Sequence, residues 1–125
     1  MSRMRASRMR QRIGRFREER HRLENENLRI RDMIKGTVIK HYKKCGRKVC
    51  ICREGKLHGP YWYLSFKEAG KSNLKYINIR DLPGITRLAG NYKRFQSNIT
   101  KINRINKQIG ELMGKIREAL LSRRK

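Results

Sequence analysis

The sequence predicts an α+β fold in which two long helices flank a small antiparallel sheet of about three strands. Apolar residues near both ends recur at steps of three and four, which is typical of amphipathic helices. In the middle, aromatic and β-branched residues alternate with polar ones between glycine-containing segments, which is typical of strands. The same middle segment holds all three cysteines within eight residues, a spacing that favours a metal site over a disulfide framework.

The chain has 125 residues, the length of one small domain. Apolar residues make up 37% of it and charged residues 35%, so we expect a modest core that needs paired helices, a metal or a partner for stability. The 34 Lys and Arg residues outnumber the 10 Asp and Glu residues, a formal net charge of +24 that extends over the whole chain. Self-repulsion of that size favours a polyanion as partner, and nucleic acid is the one we expect.

Two other uses of the charge fit less well. A solubilising surface would mix both signs and keep the net charge in single figures, and a membrane-surface protein would present more bulky apolar residues. No stretch approaches the roughly 20 apolar residues of a membrane span, and the arginine-rich beginning lacks the apolar core of a secretory signal. We therefore expect an intracellular, cytoplasmic protein.

Residues 1–12 are interpreted as an arginine-rich arm. No acidic residue precedes Glu18, so we expect the arm to be disordered or frayed when free and to order on binding. Guanidinium groups form bidentate hydrogen bonds with phosphates and stack on bases, which favours nucleic-acid contact over a merely solvated tail. The candidate contacts of the arm are Arg3, Arg5, Arg8, Arg10 and Arg12.

Two helical segments are predicted, each with a seam, meaning a row of residues at alternating steps of three and four. Residues 13–36 form the N-terminal helix, closed by Gly36, and residues 81–125 form the C-terminal helical segment, which starts at an Asp-Leu-Pro signal. The first seam consists of Ile13, Phe16, Arg20, Leu23, Asn27, Ile30 and Ile34. The second consists of Ile99, Ile102, Asn106, Ile109, Met113, Ile116 and Leu120.

We expect the two helices to pair as an antiparallel, coiled-coil-like hairpin, because each seam has one asparagine near its middle. Asn27 would then meet Asn106, with Ile13 beside Leu120. A polar residue at a seam position costs stability and commonly fixes register. Pairing within one chain and pairing between two chains satisfy the pattern equally, so a homodimer through the helices stays open.

Residues 37–80 are interpreted as a β head, with strands over residues 37–42, 61–66 and 74–79 and a turn through residues 68–73. Alternation puts Tyr61 and Tyr63 on one face of the middle strand and Trp62 and Leu64 on the other. An outward tyrosine pair flanked by lysines would offer stacking surfaces to bases and cations to phosphates. The alternative is that both faces are covered. The flanking lysines are Lys67, Lys71 and Lys75.

The metal-ligand candidates Cys45, Cys50, Cys52 and His58 form the pattern C-x4-C-x-C-x5-H. Three thiolates and one imidazole suit tetrahedral Zn²⁺, and the zinc would be structural because protein takes all four positions. His41 is a rival fourth ligand, and an iron–sulfur cluster, a disulfide or buried cysteines without metal are the alternatives. The basic residues around the cysteines, which we expect to contact phosphates, are Lys43, Lys44, Arg47, Lys48, Arg53 and Lys56.

Residues 45–52 (CGRKVCIC), residues 55–64 (GKLHGPYWYL) and Gly70-Lys71 carry a resemblance to a known family. They resemble the CG-x-x-x-C-x-C…HGPYYYL…GK pattern of an uncharacterised family of small basic archaeal and bacterial proteins with a domain of unknown function. The resemblance covers residues 37 to about 110 and leaves the arginine-rich start outside. It implies a common fold and favours His58 over His41 as the fourth ligand, but it implies no activity.

We expect a non-catalytic, sequence-tolerant nucleic-acid-binding protein that grips the backbone phosphates of DNA or structured RNA, including a ribosome-associated role. No helix-turn-helix, zinc-finger, phosphate-loop or RNA-recognition signature supports base-specific reading. The alternative is a coiled-coil assembly or adaptor protein in which charge is secondary. Catalysis fits least well, because the ten acids do not cluster and no Ser/His/Asp or Cys/His set is present.

Overall fold

The computed structural model describes residues 3–44 and 57–122. Two helices and a three-stranded antiparallel sheet confirm the α+β class. The chain divides into two compact units, one made of Met1–Arg31 with Arg94–Lys125 and the other of Asp32–Lys93. The elements in chain order are α1 (Arg3–Arg29), β1 (Thr37–Lys43), β2 (His58–Glu68), β3 (Lys71–Ile77) and α2 (Leu82–Leu120).

Helix α1 begins at Arg3, ten residues before the predicted start at Ile13. The physical reason lies in two small or flexible apolar residues, Ala6 and Met9, which continue the three-and-four spacing and are buried. Residues 3–12, expected as a disordered or frayed arm, are therefore helical. Four of the predicted arm residues project from this helix as exposed side chains: Arg5, Arg8, Arg10 and Arg12.

One buried apolar cluster draws on both helices in the first unit. Its buried members are Ala6, Met9, Ile13 and Leu23 of α1 and Ile105, Ile109 and Leu112 of α2. Burying each large aliphatic side chain is worth about 1.5–3 kcal/mol, so this cluster is the main apolar contribution to the unit. Half-buried residues packed against it are Phe16, Ile102, Ile116 and Ala119.

The contacts between seam residues differ from the prediction by about two helical turns. Asn98 Nδ2 donates to Asn27 Oδ1 at 2.9 Å, so the predicted partner Asn106 is wrong. Asn106 Oδ1 instead accepts a hydrogen bond from Arg20 Nη1 at 2.8 Å. Asn27 and Asn98 are both buried, and Asn98 supplies the donor for Asn27 Oδ1, whereas Asn106 is exposed.

The buried stripe of α2 is offset from the predicted seam because two three-and-four patterns overlap in its sequence. Both patterns share Ile102, Ile109 and Ile116. The structure buries the pattern that includes Ile105 and Leu112. The seam residues of the competing pattern that lie exposed are Ile99, Asn106, Met113 and Leu120.

In the second unit, β2 is the central strand and pairs antiparallel with β1 and β3. Ala69 and Gly70, with φ of 51° and 78°, form a two-residue turn that pairs Glu68 with Lys71. Two positive φ values match the twist of a tight hairpin. Strand β3 therefore starts three residues earlier than the prediction, which assigned residues 68–73 to the turn.

Gly36 lies before β1 rather than at the end of α1, because α1 ends at Arg29. Its φ is 153°, and a Cβ there would lie 2.8 Å from Leu64 Cδ1. Glycine is therefore needed for the chain to pass this close to Leu64, which is buried in the sheet. The connecting segment is tied to α2 by Ile34, whose N–H donates to the Leu88 carbonyl at 3.1 Å.

Among the described residues, neither helix contains a stretch apolar enough to cross a lipid bilayer.

Candidate nucleic-acid interface

The strand register sorts the side chains of the sheet onto two faces, because directly opposed residues in an antiparallel pair project to the same side. Leu64 lies opposite Val38 on β1 and Lys75 on β3. Leu64 is 8% exposed, so this is the buried face. On the other side, His41 lies opposite Tyr61 and Tyr63 lies opposite Tyr76; we call these four residues the tyrosine face.

The rings of the tyrosine face form an edge-to-face chain. His41 and Tyr63 have ring centroids 6.1 Å apart at 85°, and Tyr63 and Tyr76 have centroids 5.8 Å apart at 73°. Such pairs favour a fixed relative orientation of the rings. Tyr76 is 59% exposed and Tyr61 is half-buried, so part of this face is open rather than covered.

Lys43, at the end of β1, is held against the same rings. Its Nζ donates to Tyr63 Oη at 2.6 Å and lies 5.0 Å from the Tyr63 ring centroid and 5.7 Å from that of Tyr61. The hydrogen bond holds Nζ at the hydroxyl edge of Tyr63, and a cation near the face of a second ring, here Tyr61, gains about 0.5–1 kcal/mol at an exposed site. The ammonium group is therefore positioned beside the tyrosine face before any ligand arrives.

These side chains surround one concave site of about 420 Å³. Among the described residues, its lining combines aromatic rings, phenolic hydroxyls, two lysines and an imidazole, without a carboxylate. Such a site can accept a flat aromatic group and an anionic group together. The lining residues are Lys43, Lys44, His58, Tyr61, Tyr63 and Tyr76.

Two predicted flanking lysines lie on the other face of the sheet. Lys75 is opposite Leu64 and Lys71 is opposite Glu68, which puts both on the side of the buried face. Their predicted position beside the tyrosines is therefore wrong, because Tyr76 and not Lys75 is the cross-strand neighbour of Tyr63. Of the three predicted flanking lysines, Lys67 is the one whose position along β2 puts it on the same face as Tyr61 and Tyr63.

Sequence reasoning missed His41 and Tyr76 as members of this surface. The signal for Tyr76 was present in the Ala69-Gly70 dipeptide, since a two-residue turn there fixes the register of β3. His41 was considered only as a metal ligand. His41 lies two residues after Ile39 on β1, on the same face of the sheet. The pairing of β1 with β2 places it opposite Tyr61.

Most of the predicted metal site lies outside the described residues, as do Arg47, Lys48, Arg53 and Lys56. This holds for Cys45, Cys50 and Cys52, whereas His58 is described as the half-buried first residue of β2, opposite Lys43. Within residues 3–44 and 57–122, no group of three His, Cys, Asp or Glu side chains is close enough to hold a metal ion.

No curated protein and no solved structure matches the chain. One family model does match, over residues 9–87. This match begins inside α1, covers the whole sheet and ends in the second turn of α2. It therefore extends nearer the N-terminus than the expected resemblance, which began at residue 37, and ends earlier. Since it covers more than half of the sequence, the chain belongs to the family described as Domain of unknown function (DUF6788).

Proposed function

We propose that the protein is a non-catalytic, sequence-tolerant nucleic-acid-binding protein of the cytoplasm that grips backbone phosphates. The observation that carries the proposal is a basic excess in both compact units. Residues 1–31 and 94–125 hold 20 Lys and Arg against 6 Asp and Glu, and residues 32–93 hold 14 against 4. Nucleic acid would neutralise both units, and released counterions would favour binding.

The beginning of α1 supports the proposal locally. Arg5, Arg8, Arg10 and Arg12 are exposed, and the first carboxylate of the helix is at Glu18. Helical side chains pair at a spacing of three or four residues, so Glu18 lies too far along α1 to pair with Arg8, Arg10 or Arg12. Further along the helix, Arg20 and Arg22 do have such partners, Glu24 and Glu26.

The proposal includes a structural zinc ion held by Cys45, Cys50, Cys52 and His58. The donor set supports it, since three thiolates and one imidazole suit tetrahedral Zn²⁺. The register of the sheet also supports it, because Lys43 and His58 lie opposite each other at the two ends of the cysteine-containing segment. A metal bound there would hold the basic residues of this segment at one end of the sheet, next to Lys43 and Lys44.

The antiparallel hairpin of α1 and α2 is part of the same proposal. Three contacts support it, and they run in opposite directions along the two helices: Arg20 with Asn106, Asn27 with Asn98, and Glu26 with Arg94 at 3.7 Å. The shared apolar cluster supports it as well. Paired helices would present the exposed arginines of α1 on a fixed scaffold.

A second candidate function is a coiled-coil assembly protein, and one observation favours it. Ile99, Met113 and Leu120 on α2 are 38%, 56% and 47% exposed. With Asn106 they follow a seven-residue repeat, which is the spacing of a coiled-coil seam. A second copy of the chain is the partner that would cover this stripe.

Purification without nuclease tests the proposal, followed by sequencing of the DNA and RNA that co-purify. We expect nucleic acid in the purified fraction. Recovery dominated by ribosomal RNA would assign the protein to the ribosome, and recovery spread across the genome would assign it to DNA. A protein free of nucleic acid that elutes as a stable dimer would contradict the proposal and favour the assembly function.

A further inference from the structure

We propose that the tyrosine face binds unpaired bases of a single-stranded nucleic acid, with Lys43 and Lys44 contacting the adjacent phosphates. The inference rests on the proposed function and names the form of nucleic acid that this surface takes. It depends on described residues of the second compact unit alone.

The first step is the open aromatic surface. Tyr76 is 59% exposed and packs edge-to-face on Tyr63, which in turn packs edge-to-face with His41. Nucleic-acid bases stack on exposed tyrosine rings of sheet surfaces, and each such stack is worth about 1–3 kcal/mol. Leu74, also 59% exposed, lies opposite Ser65 on the same side and extends the apolar area.

The second step is the cation beside the rings. Lys43 Nζ is fixed by its hydrogen bond to Tyr63 Oη and lies 5.7 Å from the centroid of the Tyr61 ring. Lys44 lines the same concave site, and none of the described residues that line it is a carboxylate. A nucleotide presents a flat base and an anionic phosphate close together, which matches the ring and ammonium groups of this site.

The third step separates single strands from duplexes. In a duplex, the faces of the bases are covered by their stacked neighbours, so exposed rings can reach them only where bases are unpaired. Phosphate contacts alone would not need a row of aromatic rings. The combination of Tyr76, Tyr63 and Lys43 on one face therefore favours an unpaired strand.

The test compares full-length variants by fluorescence anisotropy with three probes: an oligothymidine of about 20 nucleotides, an abasic oligomer of the same length and a duplex of the same length. Tyr76→Leu removes the exposed ring and keeps apolar volume. We expect about tenfold weaker binding to oligothymidine and less than about twofold change with the other probes. Tyr76→Phe keeps the ring and should bind as the wild type does.

Tyr42→Leu is the matched control. Tyr42 is 46% exposed, and its ring lies with that of Trp62 around Lys40, on the other face of the sheet. We expect its affinity for all three probes to remain unchanged. Circular dichroism of each variant establishes that the fold is retained.

Unchanged oligothymidine binding by folded Tyr76→Leu would overturn the inference, and the proposed function would stand if salt-dependent binding remained. An equal loss with all three probes would also overturn it, since the ring would then not act on bases. Loss of self-association instead of nucleic-acid binding would identify the face as a protein interface. If the wild type bound none of the probes, both the inference and the proposed function would fail.

Discussion

At the scale of single residues, Asn27 of α1 and Asn98 of α2 form a buried hydrogen bond. Both side chains are buried, at 7% and 3% exposure, and Asn27 Nδ2 also donates to the Phe95 carbonyl. Among the described residues, no buried side-chain nitrogen or oxygen lacks a hydrogen-bond partner. A buried amide group that loses its hydrogen-bond partner costs more free energy than the hydrogen bond itself contributes. Any alignment of α1 and α2 that separates Asn27 from Asn98 would therefore be destabilised.

Asn98→Ala should therefore lower the free energy of unfolding by about 1–3 kcal/mol, because it leaves the buried Asn27 Oδ1 without its hydrogen-bond donor. The double variant Asn27→Leu with Asn98→Leu should recover much of that loss, since neither polar group is then buried. Urea unfolding followed by far-ultraviolet circular dichroism measures both. A double variant that is no more stable than Asn98→Ala would contradict the proposed coupling.

At the scale of the elements, the strands and their alternation were predictable, and two registers were not. Tyr61 and Tyr63 were placed together from the period of two alone. Tyr76 was missed because the sequence indicated a turn of six residues, which did not determine how β3 pairs with β2. In the structure the turn has only two residues, Ala69 and Gly70. On α2, the stripe that contains Ile105 is buried and the stripe that contains Met113 is exposed, and local spacing fits both equally.

The segment between β1 and β2 carries the zinc prediction. Cys50→Ser should lose the metal and destabilise the sheet while the helices keep their ellipticity, because the chain divides into two compact units. Metal content by atomic emission and circular dichroism measure the two effects. His58→Gln should also lose zinc, and His41→Gln should retain it. Full zinc content in Cys50→Ser would refute this ligand assignment.

At the scale of the whole molecule, the net charge of +24 is the property that most needs an explanation. Composition alone predicted a polyanionic partner, because the net charge can be counted from the sequence without knowledge of the fold. It could not predict how the cations are presented. The structure places Arg5, Arg8, Arg10 and Arg12 on a helix, where the sequence suggested a loose arm, and Lys43 against tyrosine rings. Less ordering is then needed when these groups meet phosphate.

The measurement that tests the central claim most directly is the affinity for duplex DNA as a function of salt concentration. Engagement of about four phosphates by Arg5, Arg8, Arg10 and Arg12 predicts a slope of log K against log salt near −3.6, a loss of about 10² between 50 and 200 mM. The variant Arg8→Gln with Arg10→Gln should make the slope shallower by about 2. A slope near zero for the wild type would contradict the account of a protein that grips backbone phosphates.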